Sequence, residues 1–170
     1  MNGHPGGEAH TRRMLALAGL EPGARVLDMG AGSGEAVSLM LSLGYDAKGL
    51  DLEPRGNAVA QGDFLRMPYP GESFDAVLSE CAFFVSGNVP GALREAYRVL
   101  KPGGKFLLSD VFFEAPAPLL EASGFEILRS EDMTDAWREY YLGALWRGEN
   151  CGCEIPHGKC KYWLIIAGKG

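Results

Sequence analysis

The chain has 170 residues, of which 46% are hydrophobic and 22% charged, and its formal net charge is -6. That length suits one domain with a single sizeable core, and the composition excludes disorder as the main state. The acidic balance argues against a phosphate backbone, so no nucleic-acid partner is expected.

No apolar run approaches the roughly 20 residues that span a bilayer, so no membrane partner is expected either. The opening Met1-Asn2-Gly3-His4-Pro5-Gly6-Gly7 is polar and turn-like, without the basic and apolar regions of a secretory signal. The chain is therefore read as cytoplasmic. In a reducing compartment its four cysteines, Cys81, Cys151, Cys153 and Cys160, point to metal, metalloid or redox chemistry ahead of a disulfide scaffold.

Apolar strand-like runs alternate with amphipathic stretches, the pattern of a mostly parallel α/β sheet. Residues 11–20 read as a short helix stopped by Glu21-Pro22-Gly23, and residues 25–28 as the first strand. A glycine-rich turn leads into a helix over 34–43, with Val37, Met40 and Leu41 at helical spacing and Gly44 as its left-handed stop. The second strand is expected at 47–52 and the third at 58–60. So short a link has no room for the usual crossover helix, which should be absent or reduced to a turn.

Residues 74–79 form the fourth expected strand and 89–100 a helix closed by Lys101-Pro102-Gly103-Gly104. A fifth strand follows at 105–110, a short helix at 119–123, a sixth strand at 125–129, a helix at 132–146 and an apolar last strand at 162–168. The pattern predicts a single Rossmann-like, doubly wound α/β sheet with helices on both faces and an antiparallel C-terminal strand near one edge. Residues 1–24 form an N-terminal segment with its short helix, and 25–170 the domain.

The sharpest local feature is Val26-Leu27-Asp28-Met29-Gly30-Ala31-Gly32-Ser33-Gly34. Glycines at a strand-to-helix turn let the backbone bend tightly and approach a ligand, and the following helix amides can face a polar group. A ligand-free tight turn would use the same glycines. Against the dinucleotide fingerprint G-x-G-x-x-G/A, the third glycine comes one position early and Glu35 stands where a small residue belongs.

This spacing resembles the G-x-G-x-G of class I S-adenosylmethionine-dependent methyltransferases, of the type 11 or UbiE-like group. Met67 to Val77, and Leu93 to Gly104 with its Lys101-Pro102-Gly103-Gly104 turn, resemble that family's runs before the fourth and fifth strands. The likeness covers roughly residues 11–110 in order and spacing. It implies S-adenosylmethionine as cofactor and methyl transfer to a small molecule.

Residue by residue, the resemblance implies backbone contacts from Gly30, Ala31, Gly32 and Gly34, with Asp28 near the cofactor's amino end or serving as a turn acceptor. Asp51 would grip both ribose hydroxyls and Leu52 would pack on one adenine face. Asp63 would accept from the adenine amino group, with Phe64 beside it. Ser79 would stand at the mouth where methionine and substrate meet. An ordinary strand-end turn explains Asp51 equally simply.

Glu80, Cys81 and Phe84 are the candidate substrate contacts. Glu80 is a base or a solvated surface glutamate. Ser79-Glu80-Cys81-Ala82 resembles the S-N-C-V of arsenite methyltransferases, whose cysteine there binds the metalloid, though that family's large cysteine-bearing insertion is missing here. As a small buried hydrophobe, Cys81 has a plainer reading.

Cys151, Cys153, His157 and Cys160 form a candidate thiol cluster able to close a tetrahedral zinc site or hold a trivalent metalloid. The alternative is a glycine-rich loop with neighbouring thiols. The His4-Pro5-Gly6-Gly7 start and this loop also resemble a bacterial methyltransferase group associated with radical-SAM and redox proteins. With about 20 residues before the first strand, the site is expected to be open or completed by a second copy in a homodimer.

Three functions stand open: a methyltransferase, including one that acts on thiols or arsenite; a nucleotide-dependent oxidoreductase, which the glycine spacing disfavours; and a non-catalytic cofactor- or metal-binding module.

Overall fold

A computed structural model describes residues 4–148 and 159–170. The strands are β1 (Arg25–Met29), β2 (Asp46–Asp51), β3 (Val59–Gln61), β4 (Phe74–Glu80), β5 (Leu100–Phe112), β6 (Phe125–Asp132) and β7 (Lys161–Lys169). They form one sheet in the order β3-β2-β1-β4-β5-β7-β6. β1 to β5 pair in parallel. β7 runs antiparallel between β5 and β6, as the paired strands at the chain's end predict.

The helices are α1 (Gly7–Ala18), α2 (Glu35–Ser42), α3 (Val89–Val99), α4 (Ala117–Ala122) and α5 (Thr134–Trp146). Period-2 alternation in the strands serves both faces. On one face Met14 and Leu15 of α1 and Val37 and Met40 of α2 pack on Val26, Ala76, Leu78, Leu107 and Ile166. On the other, Ala92, Leu93 and Ala96 of α3 and Leu120 of α4 cover Leu27, Val77, Phe106, Leu108 and Ile165. Phe106 lies 5.7 Å from Phe83 and 5.1 Å from Phe125, ring centre to ring centre, near the middle of that second layer.

Three expectations change. α1 begins at Gly7, four residues earlier than the apolar spacing indicates, because its first turn is polar. β5 begins at Leu100, and the Lys101-Pro102-Gly103-Gly104 segment expected as a turn is instead an irregularity within the strand: Phe74 pairs with Leu100 and Ala76 with Lys105. β6 extends to Asp132, displacing the start of the last helix to Thr134.

The short link from β2 to β3 holds no helix, as its length requires. It folds onto the glycine turn: the Arg55 amide donates to Gly32 O at 2.9 Å, and a Cβ on Gly56 would stand 2.1 Å from Ser33 O.

On the α1 side the sheet changes character toward its carboxyl end. Leu78 pairs with Leu107, and two residues on, on the same face, Glu80 pairs with Ser109. Asp28, paired with Leu78, also faces this way. The sheet thus turns polar where the glycine turn, the start of α1 and the loop after β4 converge.

Candidate active site

The glycine turn is built on left-handed backbone. Gly30, Gly32 and Gly34 have φ of 86°, 51° and 82°, values that L side chains rarely tolerate. Gly30 and Ala31 amides donate to Leu50 O at 2.8 and 3.1 Å, which ties the turn to β2. The Gly32 amide donates to Asp51 Oδ2 at 2.8 Å, and the Glu53 amide to Asp51 Oδ1 at 2.9 Å. Asp51 is thus fixed at the end of β2 beside the turn. Leu52, next to it, is 58% exposed among the described residues, an apolar surface beside the turn.

Asp63 is exposed, and its Oδ1 accepts from the Leu65 amide at 2.8 Å. Phe64 is buried and stacks 5.7 Å from Phe83. Ser79, expected at the mouth, is fully buried; its hydroxyl donates to Met29 O at 2.8 Å and so serves the junction of β1 and β4.

Glu80 is not the solvated glutamate that one sequence reading allowed. Its side chain is 4% exposed, roofed by the segment leading into α1. Thr11 donates to its Oε2 at 2.9 Å. Among the described residues its other oxygen, Oε1, is buried without a hydrogen bond: His4 Nδ1 stands 3.3 Å away but bonds to Pro5 O, and His10 Nε2 is 4.0 Å away.

Burial, reinforced by the nearby Asp28 charge, raises the Glu80 carboxyl to about 8. Burial, with Asp51 behind it, likewise raises Asp28 to about 7. Burial lowers His10 to about 4, keeping that ring neutral.

A second set of hydrogen bonds runs beside this pair. His10 Nε2 and Ser109 Oγ are 2.8 Å apart, Ser109 donates to Tyr162 Oη at 2.8 Å, and Cys81 Sγ lies 3.4 Å from that phenol. Cys81 has φ 56°, an uncommon left-handed value for a cysteine. Its amide donates to Ser109 O, while Asp110, pushed up to about 6 by burial, accepts from the Phe83 and Phe84 amides at 2.7 and 3.2 Å. The tight turn after β4 is therefore pinned to β5.

Phe84 is half-buried and 5.9 Å from Phe113. Cys160 is buried in one cluster with Trp137, Tyr141 and Tyr162, against which Cys81 and Phe84 pack. Cys151, Cys153 and His157 of the candidate thiol cluster lie outside the described residues.

Sequence reasoning missed Thr11, His10, Ser109 and Tyr162. His10 and Thr11 stand one turn before Met14 and Leu15 on the same helix face, a spacing that marks them as facing the sheet. Nothing local pointed to Ser109 or Tyr162, which meet only through strand pairing.

The burial of Glu80 has a consequence for stability. A carboxyl raised in the fold holds a proton that the unfolded chain releases, so the stability it contributes is complete below about pH 4 and is lost as pH rises through about 8. Glu80→Gln, which keeps the neutral form, should exceed the wild type at pH 9 by at least about 1 kcal/mol, with the two converging near pH 4. Urea denaturation at both pH values checks this, and equal differences at the two would contradict it.

Residues 27–108 match the family model for a methyltransferase domain. Over those residues the chain is similar to a methyltransferase domain. It is 33% identical over 116 residues to a demethylmenaquinone methyltransferase of Tropheryma whipplei, covering 61% of this chain and 48% of that protein. It is 29% identical over 123 residues to an arsenite methyltransferase of Aquipseudomonas alcaligenes, covering 58% of this chain and 36% of the relative. The chain spans about half the length, or less, of these curated relatives.

The chain also shares its fold with the phosphoethanolamine N-methyltransferase 2 of Haemonchus contortus, solved with S-adenosyl-L-methionine. There the TM-score is 0.80 at 20% identity, over 98% of this chain and 53% of that one. The residues present fit that cofactor: a left-handed glycine turn, a carboxylate fixed beside it, an exposed leucine and, among the described residues, a buried carboxylate oxygen without a hydrogen bond. Among the described residues no helix is long and apolar enough to cross a membrane.

Proposed function

We propose that the chain is an S-adenosylmethionine-dependent methyltransferase acting on a small molecule. The observation that carries this reading is the G-x-G-x-G turn, left-handed at all three glycines, with its Gly32 amide held on the Asp51 carboxylate. Asp51 takes the ribose hydroxyls, Leu52 covers one adenine face, and Asp63 and Phe64 complete the adenine side. The backbone of Gly30, Ala31, Gly32 and Gly34 admits the cofactor closely, and Asp28 faces its amino end.

The cofactor supplies a methyl group already activated by its sulfonium, so the chain's work is mainly orientation and exclusion of water. Ser79 acts at one remove, by holding the strand that presents Glu80. The acceptor enters between Cys81 and Phe84, where Val85 and Phe113 are exposed, and a second copy closes that mouth. The net charge of -6 supports a small molecule over nucleic acid. The cytoplasm is the proposed compartment, and residues 25–170 the catalytic domain behind an N-terminal segment.

A second reading, methyl transfer to a thiol or to arsenite, is favoured by one observation: Cys81 and Cys160 pack in the same aromatic cluster around Tyr162. A panel of amines, phenols, thiols and arsenite with methyl-labelled cofactor tests both. Label is expected in one acceptor class. Saturable binding with no S-adenosylhomocysteine formed from any of them would contradict turnover and leave a cofactor-binding module.

A further inference from the structure

Resting on that cofactor reading, we infer that Glu80 joins Asp28 in a buried carboxylate pair that receives the cationic methionyl end of S-adenosylmethionine, and that binding drives a proton out of the pair. Glu80 directly follows Ser79, whose hydroxyl holds Met29 O immediately before Gly30. Asp28 faces the same side of the sheet from the neighbouring strand. Asp28 and the Glu80 side chain are each 4% exposed, and among the described residues Glu80 Oε1 has no hydrogen bond, His4 Nδ1 being 3.3 Å away. A buried acceptor left this way is costly unless a ligand completes it.

The charges around the pair support a cationic ligand. From α1 and the segment before it come His4, His10 and Thr11; from β1 Asp28, backed by Asp51 of β2; from β5 Ser109; from β7 Tyr162; from the loop after β4 Cys81. Arg13 also lies on α1, but its guanidinium pairs with Glu131 at 2.5 Å, and Glu35 acts on His4 from the start of α2. Among the described residues neither Asp28 nor Glu80 has an ion pair with Lys or Arg. Both histidines are held toward their neutral forms by burial. Two buried carboxyl groups thus act on each other, among the described residues without a Lys or Arg partner, and near neutral pH the pair retains a proton.

A bound cation reverses this balance. In a low-dielectric site an ammonium or sulfonium beside the pair favours full ionisation. One carboxyl O–H bond breaks and its proton passes to the buffer. S-adenosylmethionine carries both cationic centres, whereas S-adenosylhomocysteine has lost the sulfonium. The pair therefore favours the cofactor over its product, which helps clear the site after transfer.

The test is calorimetric titration at pH 7 in buffers of different ionisation enthalpy, with S-adenosylmethionine and then S-adenosylhomocysteine. The wild type is expected to release about 0.5 to 1 proton per S-adenosylmethionine, and less with the homocysteine. Glu80→Gln should still bind, release less than half as much, and lose about tenfold in its preference for the methylated form. Undiminished release in Glu80→Gln, or binding without release in the wild type, would overturn the inference and leave the cofactor reading intact. Absence of binding would overturn both. Should Glu80→Gln not fold, the wild-type affinity alone decides: it should rise up to tenfold per pH unit from pH 6 to 8, and a flat profile contradicts the pair.

Discussion

Asp51→Ala should weaken S-adenosylhomocysteine binding by at least about 100-fold, or roughly 2.7 kcal/mol. A charged acceptor spanning two ribose hydroxyls contributes about 1.5–3 kcal/mol for each hydrogen bond. Part of the loss is indirect. Asp51 also accepts from the Gly32 and Glu53 amides, so its removal frees the glycine turn as well as the ribose. Asp51→Asn separates the two contributions, because its one carbonyl oxygen can hold an amide while the charge is gone. Its expected loss is about tenfold. Calorimetric titration of all three proteins checks the order, and equal affinity of Asp51→Ala and wild type would remove Asp51 from the site.

The second large effect is expected at Gly30. Alanine there takes φ 86°, and its Cβ would stand 2.3 Å from the Ala82 Cβ. Ala82 cannot easily retreat, since its neighbours Cys81 and Phe83 are held by Ser109 O and the Asp110 carboxylate. Left-handed strain of about 1–2 kcal/mol adds to overpacking of about 1–3 kcal/mol, so Gly30→Ala should cost about 2–5 kcal/mol. Gly44 supplies the control: φ is 87°, yet a Cβ there meets nothing within 4 Å. Gly44→Ala should cost only the strain, about 1–2 kcal/mol. Chemical denaturation of both variants measures the difference, and equal losses would mean that the contact with Ala82 is not a tight one.

These two sites also show what the sequence made legible. The glycine spacing, the missing crossover helix and the antiparallel last strand are written in local patterns, because strand alternation and left-handed turns restrict residue type position by position. Asp51 is legible as a candidate because it ends a strand about 20 residues after the turn, and the Gly32 amide donates to it. The state of Glu80 was not legible. Its burial depends on residues 4–11 folding over β4, a contact across 69 residues at Thr11 that no local pattern encodes. The same holds for Ser79: position along β4 places it at the mouth, but strand alternation turns its hydroxyl inward to Met29 O. The irregular opening of β5 escaped for a related reason, since Pro102-Gly103-Gly104 reads as a turn until the pairing of Phe74 with Leu100 pulls it into the sheet.

The proposed function rests on the glycine turn and Asp51 forming an S-adenosylmethionine site. The most direct measurement is calorimetric titration of the wild-type chain with S-adenosylhomocysteine and, separately, with NAD. Saturable binding of the first and none of the second is the predicted result. Binding of NAD, or no binding of S-adenosylhomocysteine, would contradict it and leave the turn to another ligand or to structure alone.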